Sequence, residues 1–189
     1  MLCVAYETLA RRGELVALEV CDIDFHPNGT DQALIRRGKT DAEGQGRVAY
    51  LWRQTVNWLR VWLEHSGIAE ERVFRRLIGK SKVGGQLNPG SIAPIFKRVA
   101  QWIGMPERVV NQISGHSTRV GATQDLAAQD IDLAAITQAG GWKSTRMLLQ
   151  YAEKINASAR INLGWEEVRC NGRKLVDGVQ WVRLPSGKG

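Results

Sequence analysis

Along residues 2–18 apolar side chains recur on a helical period, with Val4, Leu9, Leu15 and Leu18 marking the inner face. The pattern predicts a helix that begins almost at Met1 with no cap and no lead-in, as a piece of a longer protein would. The pattern then changes. "VCDIDF" reads as a short strand closed by "HPNGT", a turn signal. "QALIRRG" and "RVAYLW" read as two further strands joined by the Gly-bearing loop "KTDAEGQG". Together they predict a small antiparallel sheet from about residue 20 to residue 51, with Lys39 at a strand end on the tip of a hairpin.

Helical spacing returns in "RQTVNWLRVWLEHSG", where Val56, Leu59, Trp62 and Leu63 share one face and Gly67 ends the helix. "GKSKVGGQ" at 79–86 reads as a basic, Gly-rich loop, either solvated or touching a phosphate backbone. "NPGSIAPIFKRVAQWIG" predicts a helix with Asn88 as cap and Pro89 at its first position, although Pro94 leaves the start open by several residues. A helix from about Ser117 would turn Val120, Leu126 and Ala127 inward. "DIDLAAITQAGG" is a short helix capped by Asp130 or Asp132 and stopped at Gly140–Gly141. Ser144 caps the next, which carries Met147, Leu148 and Tyr151. Beyond about Asn162 the composition changes. "EVRCNGRKLVDGVQWVRL" sets Asn171–Gly172 and Asp177–Gly178 between β-prone pieces, a hairpin signal, so the tail reads as a small appendage or arm. The fold class expected is mainly α with a small antiparallel β-sheet (α+β).

Composition narrows the partners. The 189 residues are 43% hydrophobic, enough for a core in one domain of ordinary size, and carry a net charge of +7. That surplus favours a polyanion, because each cation brought near a phosphate releases a counterion, although solubility alone also accounts for it. Cys3, Cys21 and Cys170 are few, odd in number and far apart, with no CxxC pair. Neither a zinc site nor a disulfide framework is indicated, and a reducing, cytoplasmic setting fits best. No signal peptide opens the chain, and no apolar run is long enough to cross a membrane.

The chemistry lies in "SGHSTRVGATQDLAAQD" and "QAGGWKSTRMLLQYAEK". His116 and Arg119 stand three apart where a helix begins, so one face would present an imidazole donor, a guanidinium and the positive helix end to a phosphate. Alone, an HxxR pair arises often by chance. Tyr151 is a candidate nucleophile whose phenol, with a pKa of about 10, needs nearby cations or a base to react at neutral pH. Alone, such a Tyr is more often structural. Arg11 in "ETLARRGEL" has Glu14 three residues on to orient it. An ordinary surface ion pair is the simpler reading, and Arg12 is the competing choice.

Taken together, "AYETLARRGEL", "RGKT", "GHSTRVGA", "QAGGW" and the Tyr nine positions after that Trp resemble the tyrosine recombinases of the phage integrase family, over roughly residues 1–162. The resemblance implies a tyrosine recombinase catalytic-domain fold and DNA strand breakage and rejoining through a 3′-phosphotyrosyl intermediate. It implies that Arg11 and Arg119 clamp the scissile phosphate, His116 donates to a non-bridging oxygen or assists proton transfer, and Lys39 acts as general acid. Trp142 would donate its indole N–H or simply pack the pocket, Glu14 would support Arg11, and Tyr151 would attack phosphorus. Lys80 and Lys82 compete with Lys39. Arg36, Arg37, Lys80, Lys82 and Arg146 are the candidate DNA-binding cations. No cofactor and no metal are implied.

The partners implied are double-stranded DNA and further copies of the chain, a tetramer on DNA for the complete protein. A helix beyond the Tyr docks into a neighbouring subunit in the family, and residues 153–165 fall in its place. The family's N-terminal DNA-binding domain and the helices before the Arg11 helix have no counterpart here; residues 163–189 are expected to form a C-terminal tail, a β-hairpin or subunit-contact arm, within which the hairpin-like 168–184 has no family counterpart. The rival expectations are a non-catalytic DNA-binding remnant of an integrase and a type IB topoisomerase-like enzyme.

Overall fold

The computed structural model describes residues 1–26, 30–36, 46–79, 82–146 and 148–149. Two short helices open the chain, α1 (Leu2–Glu7) and α2 (Arg12–Ala17). The single helix expected over 2–18 is therefore broken. Leu9 adopts a left-handed backbone (φ 52°) and Arg11 an extended one (φ −69°, ψ 153°). The apolar spacing hides this break because Val4, Leu9, Leu15 and Leu18 are all buried on either side of it. No Gly or Pro marks it, and the one glycine nearby, Gly13, lies inside α2.

A three-residue 3-10 turn (Val20–Asp22) takes the first half of the expected strand, leaving β1 only Ile23–Asp24. β2 (Gln32–Ile35) and β3 (Arg47–Tyr50) complete an antiparallel sheet in the order β1-β2-β3, with Ala33 opposite both Ile23 and Ala49. Ala33 and Ile35 face inward, as period-two alternation requires. The expected sheet over 20–51 is thus present.

α3 (Arg53–Ser66) buries Val56 and Leu59, packs Trp62 and Leu63 against the same core, and ends at Gly67 with φ 64°. Its N-terminus is held by a side chain from α1, since the Glu7 carboxylate accepts from the Trp52 N–H (3.0 Å) and from Thr55 Oγ1. The stretch 79–86, expected to be a loop, contributes to a second sheet instead. β4 (Arg75–Ile78) pairs antiparallel with β5 (Lys82–Gln86). Gly84 and Gly85, poor strand formers, concealed β5 in the sequence.

Asn88 accepts from the Gly90 N–H at 2.7 Å and caps a short 3-10 turn, Pro89–Ser91. That turn runs into α4 (Ile92–Trp102), so Pro94 falls in the first turn of the helix, where no N–H is missed. α5 (Glu107–Gln112), which the periodicity did not mark, follows Pro106. α6 (Ser117–Ala128) packs on α1 and on α7 (Leu133–Gly140). Its buried side chains are Arg119, Ala122 and Thr123, while Val120, Leu126 and Ala127, expected inward, are only half-buried. An apolar pattern fails on a helix whose inner face carries an arginine. Asp132, rather than Asp130, caps α7 by accepting from the Ala134 and Ala135 N–H groups. Met147, Tyr151 and the expected hairpin beyond residue 162 lie outside the described residues.

Gly67 has open space around the position of a Cβ, so a substitution there meets only the backbone penalty of its left-handed φ. Gly67→Ala is expected to lower stability by about 1 kcal/mol. Urea unfolding of the two proteins at equal slope checks it.

Candidate active site

The site grows out of chain breaks and helix ends. At the α1–α2 break Arg11 is the N-cap of α2, and Glu14, three residues on, reaches back to accept the Arg11 N–H at 2.9 Å. The other oxygen of Glu14 accepts from the Arg11 guanidinium at 2.6 Å. One carboxylate thereby caps a helix and aims a cation. Arg47, the first residue of β3, donates at 3.2 Å to the same Glu14 oxygen that accepts the Arg11 N–H. Burial pushes the Glu14 carboxyl up, but the Arg11 bonds and the Arg11 and Arg47 charges outweigh it, so its pKa falls below the usual 4.5.

The end of α7 forms the opposite wall. Gly141 takes a left-handed backbone (φ 61°), the Gly141 N–H bonds to the Gln138 carbonyl and the Trp142 N–H to the Thr137 carbonyl, a Schellman-type ending. Three carbonyls there each accept a guanidinium. Ala139 O accepts from Arg47 (2.9 Å), Gly140 O from Arg119 (2.6 Å) and Gly141 O from Arg11 (3.1 Å). Arg47 and Arg119 also donate to the Thr8 and Leu9 carbonyls, which the α1–α2 break turns toward them. Arg119 is 3% exposed, and its guanidinium lies 3.7 Å from the centroid of the Trp142 ring. A Cβ on Gly140 would fall 1.7 Å from that ring, so "GGW" is a packing requirement as well as a helix stop.

A cavity of about 840 Å³ opens between these walls, lined by Arg11, Glu14, Arg47, Gly141, Trp142 and Lys143 together with apolar side chains of β2, β3 and α6. α6 is tied to α1 behind it by the Tyr6 hydroxyl donating to Asp125, which with burial raises the Tyr6 pKa. His116 is the exposed N-cap of α6. Partial desolvation of its ring, and then the charges of Arg12, Arg119 and Arg11, lower its pKa below 6.5. The shift favours the neutral imidazole, which donates through one nitrogen only.

The structure thus brings Arg11, Glu14, Arg119 and Trp142 into one network, with His116 at its edge. Arg36 stands elsewhere, paired with Asp22 and with Glu19 (3.8 Å). Lys82 and Arg146 are exposed. Arg37, Lys39, Lys80 and Tyr151 lie outside the described residues. Arg12, the rival of Arg11, is the first residue of α2, does not line the cavity, and packs its stem near Gly115. Arg47 is the member the sequence did not announce. It opens a strand with no motif around it, and only its burial at 13% side-chain exposure and its partners mark it. Among the described residues no group of His, Cys, Asp or Glu is placed to hold a metal ion, and no helix is long and apolar enough to cross a membrane.

The sequence profile of the Phage integrase family matches residues 1–157, and the chain belongs to that family. It is 28% identical over 167 residues to the Cre recombinase of Escherichia phage P1, a match covering 82% of this chain and 49% of that protein. The chain thus spans about half the length of this curated relative. The fold is that of solved tyrosine recombinases. The XerA recombinase superposes with a TM-score of 0.64 at 15% identity, over 91% of this chain and 55% of that one. XerH bound to palindromic difH substrate gives 0.62 at 19% identity, over 87% and 44%. The Tn1549 transposon integrase in complex with circular intermediate DNA gives 0.59 at 17% identity, over 86% and 55%.

The folded chain resists protonation of His116 more than the unfolded chain does. Stability is therefore expected to be lost as pH falls from 6.5 through the lower, folded pKa. In an NMR titration of the three histidines, His116 should titrate below 6.5, and Arg12→Gln should move its midpoint upward.

Proposed function

We propose that residues 1–162 are the catalytic domain of a tyrosine site-specific recombinase that breaks and rejoins double-stranded DNA, with 163–189 as a tail. The observation that supports it most directly is the anchoring of Arg11 and Arg119 on the adjacent carbonyls of Gly141 and Gly140. Two guanidiniums from distant parts of the chain are held there by neutral acceptors, with Trp142 stacked on one of them. Such a pair suits a phosphodiester, whose oxygens accept from planar N–H forks.

In the reaction proposed, the Tyr151 oxygen attacks phosphorus in line and the P–O5′ bond breaks. The phenol gives up its proton and the leaving 5′-oxygen gains one, so protons balance. Arg11 and Arg119 stabilise the charge that builds on the non-bridging oxygens, neutral His116 donates a hydrogen bond there, and Lys39 protonates the leaving oxygen. The 3′-phosphotyrosyl bond conserves the energy of the broken link, so the 5′-hydroxyl of another strand reverses the step. Arg37, Lys80, Lys82 and Arg146, with Arg36, serve DNA affinity through phosphate contacts. The complete protein works as a tetramer on two DNA sites, a reading supported by the family's architecture.

The test is covalent trapping on nicked duplexes of randomised sequence, from which the short leaving strand diffuses after cleavage. A denaturation-resistant protein–DNA band is expected, absent in Tyr151→Phe and reduced about 100-fold or more in Arg119→Lys. DNA retained in a gel shift with no such band from the unaltered chain would instead mark a non-catalytic DNA-binding remnant. Relaxation of supercoils by lone monomers would mark a topoisomerase.

Lys39 has its own check. Cleavage by Lys39→Ala is expected to be slow on a normal linkage and restored on one with a 5′-sulfur leaving group, which needs no acid. Persistent inactivity on the sulfur link would move the acid to another lysine.

A further inference from the structure

Arg47 is the one charged member of the network that the reading above leaves without a task, and the inference here rests on that reading. Its guanidinium binds Glu14 (3.2 Å), Ala139 O (2.9 Å) and Thr8 O, and it lines the same cavity as Arg11. Glu14 is the only carboxylate bonded to these guanidiniums among the described residues, and it is bound tightly to Arg11.

The charges have to be counted. Arg11 and Glu14 alone cancel, so one of the two phosphate-binding arginines would bring almost no net field to the cavity. A phenolate attacking a phosphodiester makes a pentacoordinate species that carries two negative charges. In a pocket sheltered from water, where charges interact far more strongly, each cation whose charge is left uncancelled helps to hold that species. Arg47 supplies a cation at Glu14 itself, donating to Oε2, which also accepts the Arg11 N–H, while Oε1 takes the Arg11 guanidinium.

We propose that Arg47 is a positioning residue that offsets Glu14 electrostatically. The carboxylate can then cap α2 and orient Arg11 without cancelling Arg11's charge toward the scissile phosphate. The bonds to Thr8 O and Ala139 O hold Arg47 in that place and leave its charge intact, because carbonyls are neutral. Arg47 does not touch the phosphate itself in this scheme.

The experiment uses the whole chain and the DNA sequence captured in the trapping assay, at saturating DNA, with single-turnover cleavage as the readout. Arg47→Gln is expected to slow cleavage about 10- to 100-fold while DNA affinity changes little. Two comparisons separate charge from mere structure. In a Glu14→Gln background the Arg47→Gln penalty should shrink at least several-fold, because no carboxylate is left to offset. On DNA with a neutral methylphosphonate at the scissile link, the penalty should also shrink, because the transition state carries one charge less.

Equal penalties on both substrates and in both backgrounds would overturn the proposal and leave Arg47 a structural residue. Cleavage by Arg47→Gln at the unaltered rate would overturn it too. If Arg47→Gln fails to fold by circular dichroism, Arg47→Lys decides, since it keeps the charge and loses the fork. Cleavage within a few-fold of the unaltered chain supports the proposal, and a loss near 100-fold overturns it. No covalent product from the unaltered chain would overturn the parent reading and this inference with it. Product from the unaltered chain with an unmoved Arg47→Gln would overturn this inference alone.

Discussion

Three guanidiniums converge on three consecutive carbonyls at the C-terminal end of α7. A helix end leaves carbonyls without intrahelical partners and gathers the negative end of the helix dipole, so it attracts cations on two counts. Here Ala139, Gly140 and Gly141 each take an arginine from a different element: β3, α6 and the cap of α2. Elements distant in the chain are fixed against one another at that point. The rest of the site follows from it. Gly141 must turn left-handed to present its carbonyl, and Gly140 must lack a side chain for the Trp142 ring to lie against it beneath Arg119.

The same constraint explains the break between α1 and α2. A continuous helix over 2–18 would have tied up the Thr8 and Leu9 carbonyls in its own ladder. Broken there, it frees them for Arg47 and Arg119. Leu9 accepts a left-handed backbone to do so, at a cost of roughly 1–2 kcal/mol for a non-glycine residue. Its side chain is buried at 2% exposure, so the core holds the strained position from behind.

What the sequence disclosed divides along physical lines. Local signals were readable wherever the cause was local. α3 with its Gly67 stop, the capping of α7 by Asp130 or Asp132, of which the structure uses Asp132, and the β1–β3 sheet needed only periodicity, a capping side chain or alternation. Arg11, Glu14, Arg119 and Trp142, picked from short motifs with fixed internal spacing, stand together in the structure. The remaining features depend on contacts far apart in the chain. At the α1–α2 break the Leu9 carbonyl meets Arg119, more than a hundred residues away, and Arg47 is held by Thr8, Glu14 and Ala139, none of them near it in sequence. α6 misled in the same way, since its inner face holds Arg119, which pattern reading assigns to solvent.

A buried arginine is costly unless its donors are met, and proteins usually meet them with carboxylates. This site does so sparingly. Among the described residues, the three guanidiniums are held by the carbonyls of Thr8, Leu9, Ala139, Gly140 and Gly141, and by one carboxylate, Glu14. Carbonyls satisfy the donors and restrain the geometry, and being neutral they do not themselves cancel the positive charge. A cluster of carboxylates would satisfy the same donors and cancel their charge. The two chain irregularities, at Leu9 and at Gly141, are what make enough main-chain oxygens available. The course of the backbone at those two places thereby sets where the three guanidiniums stand around the cavity.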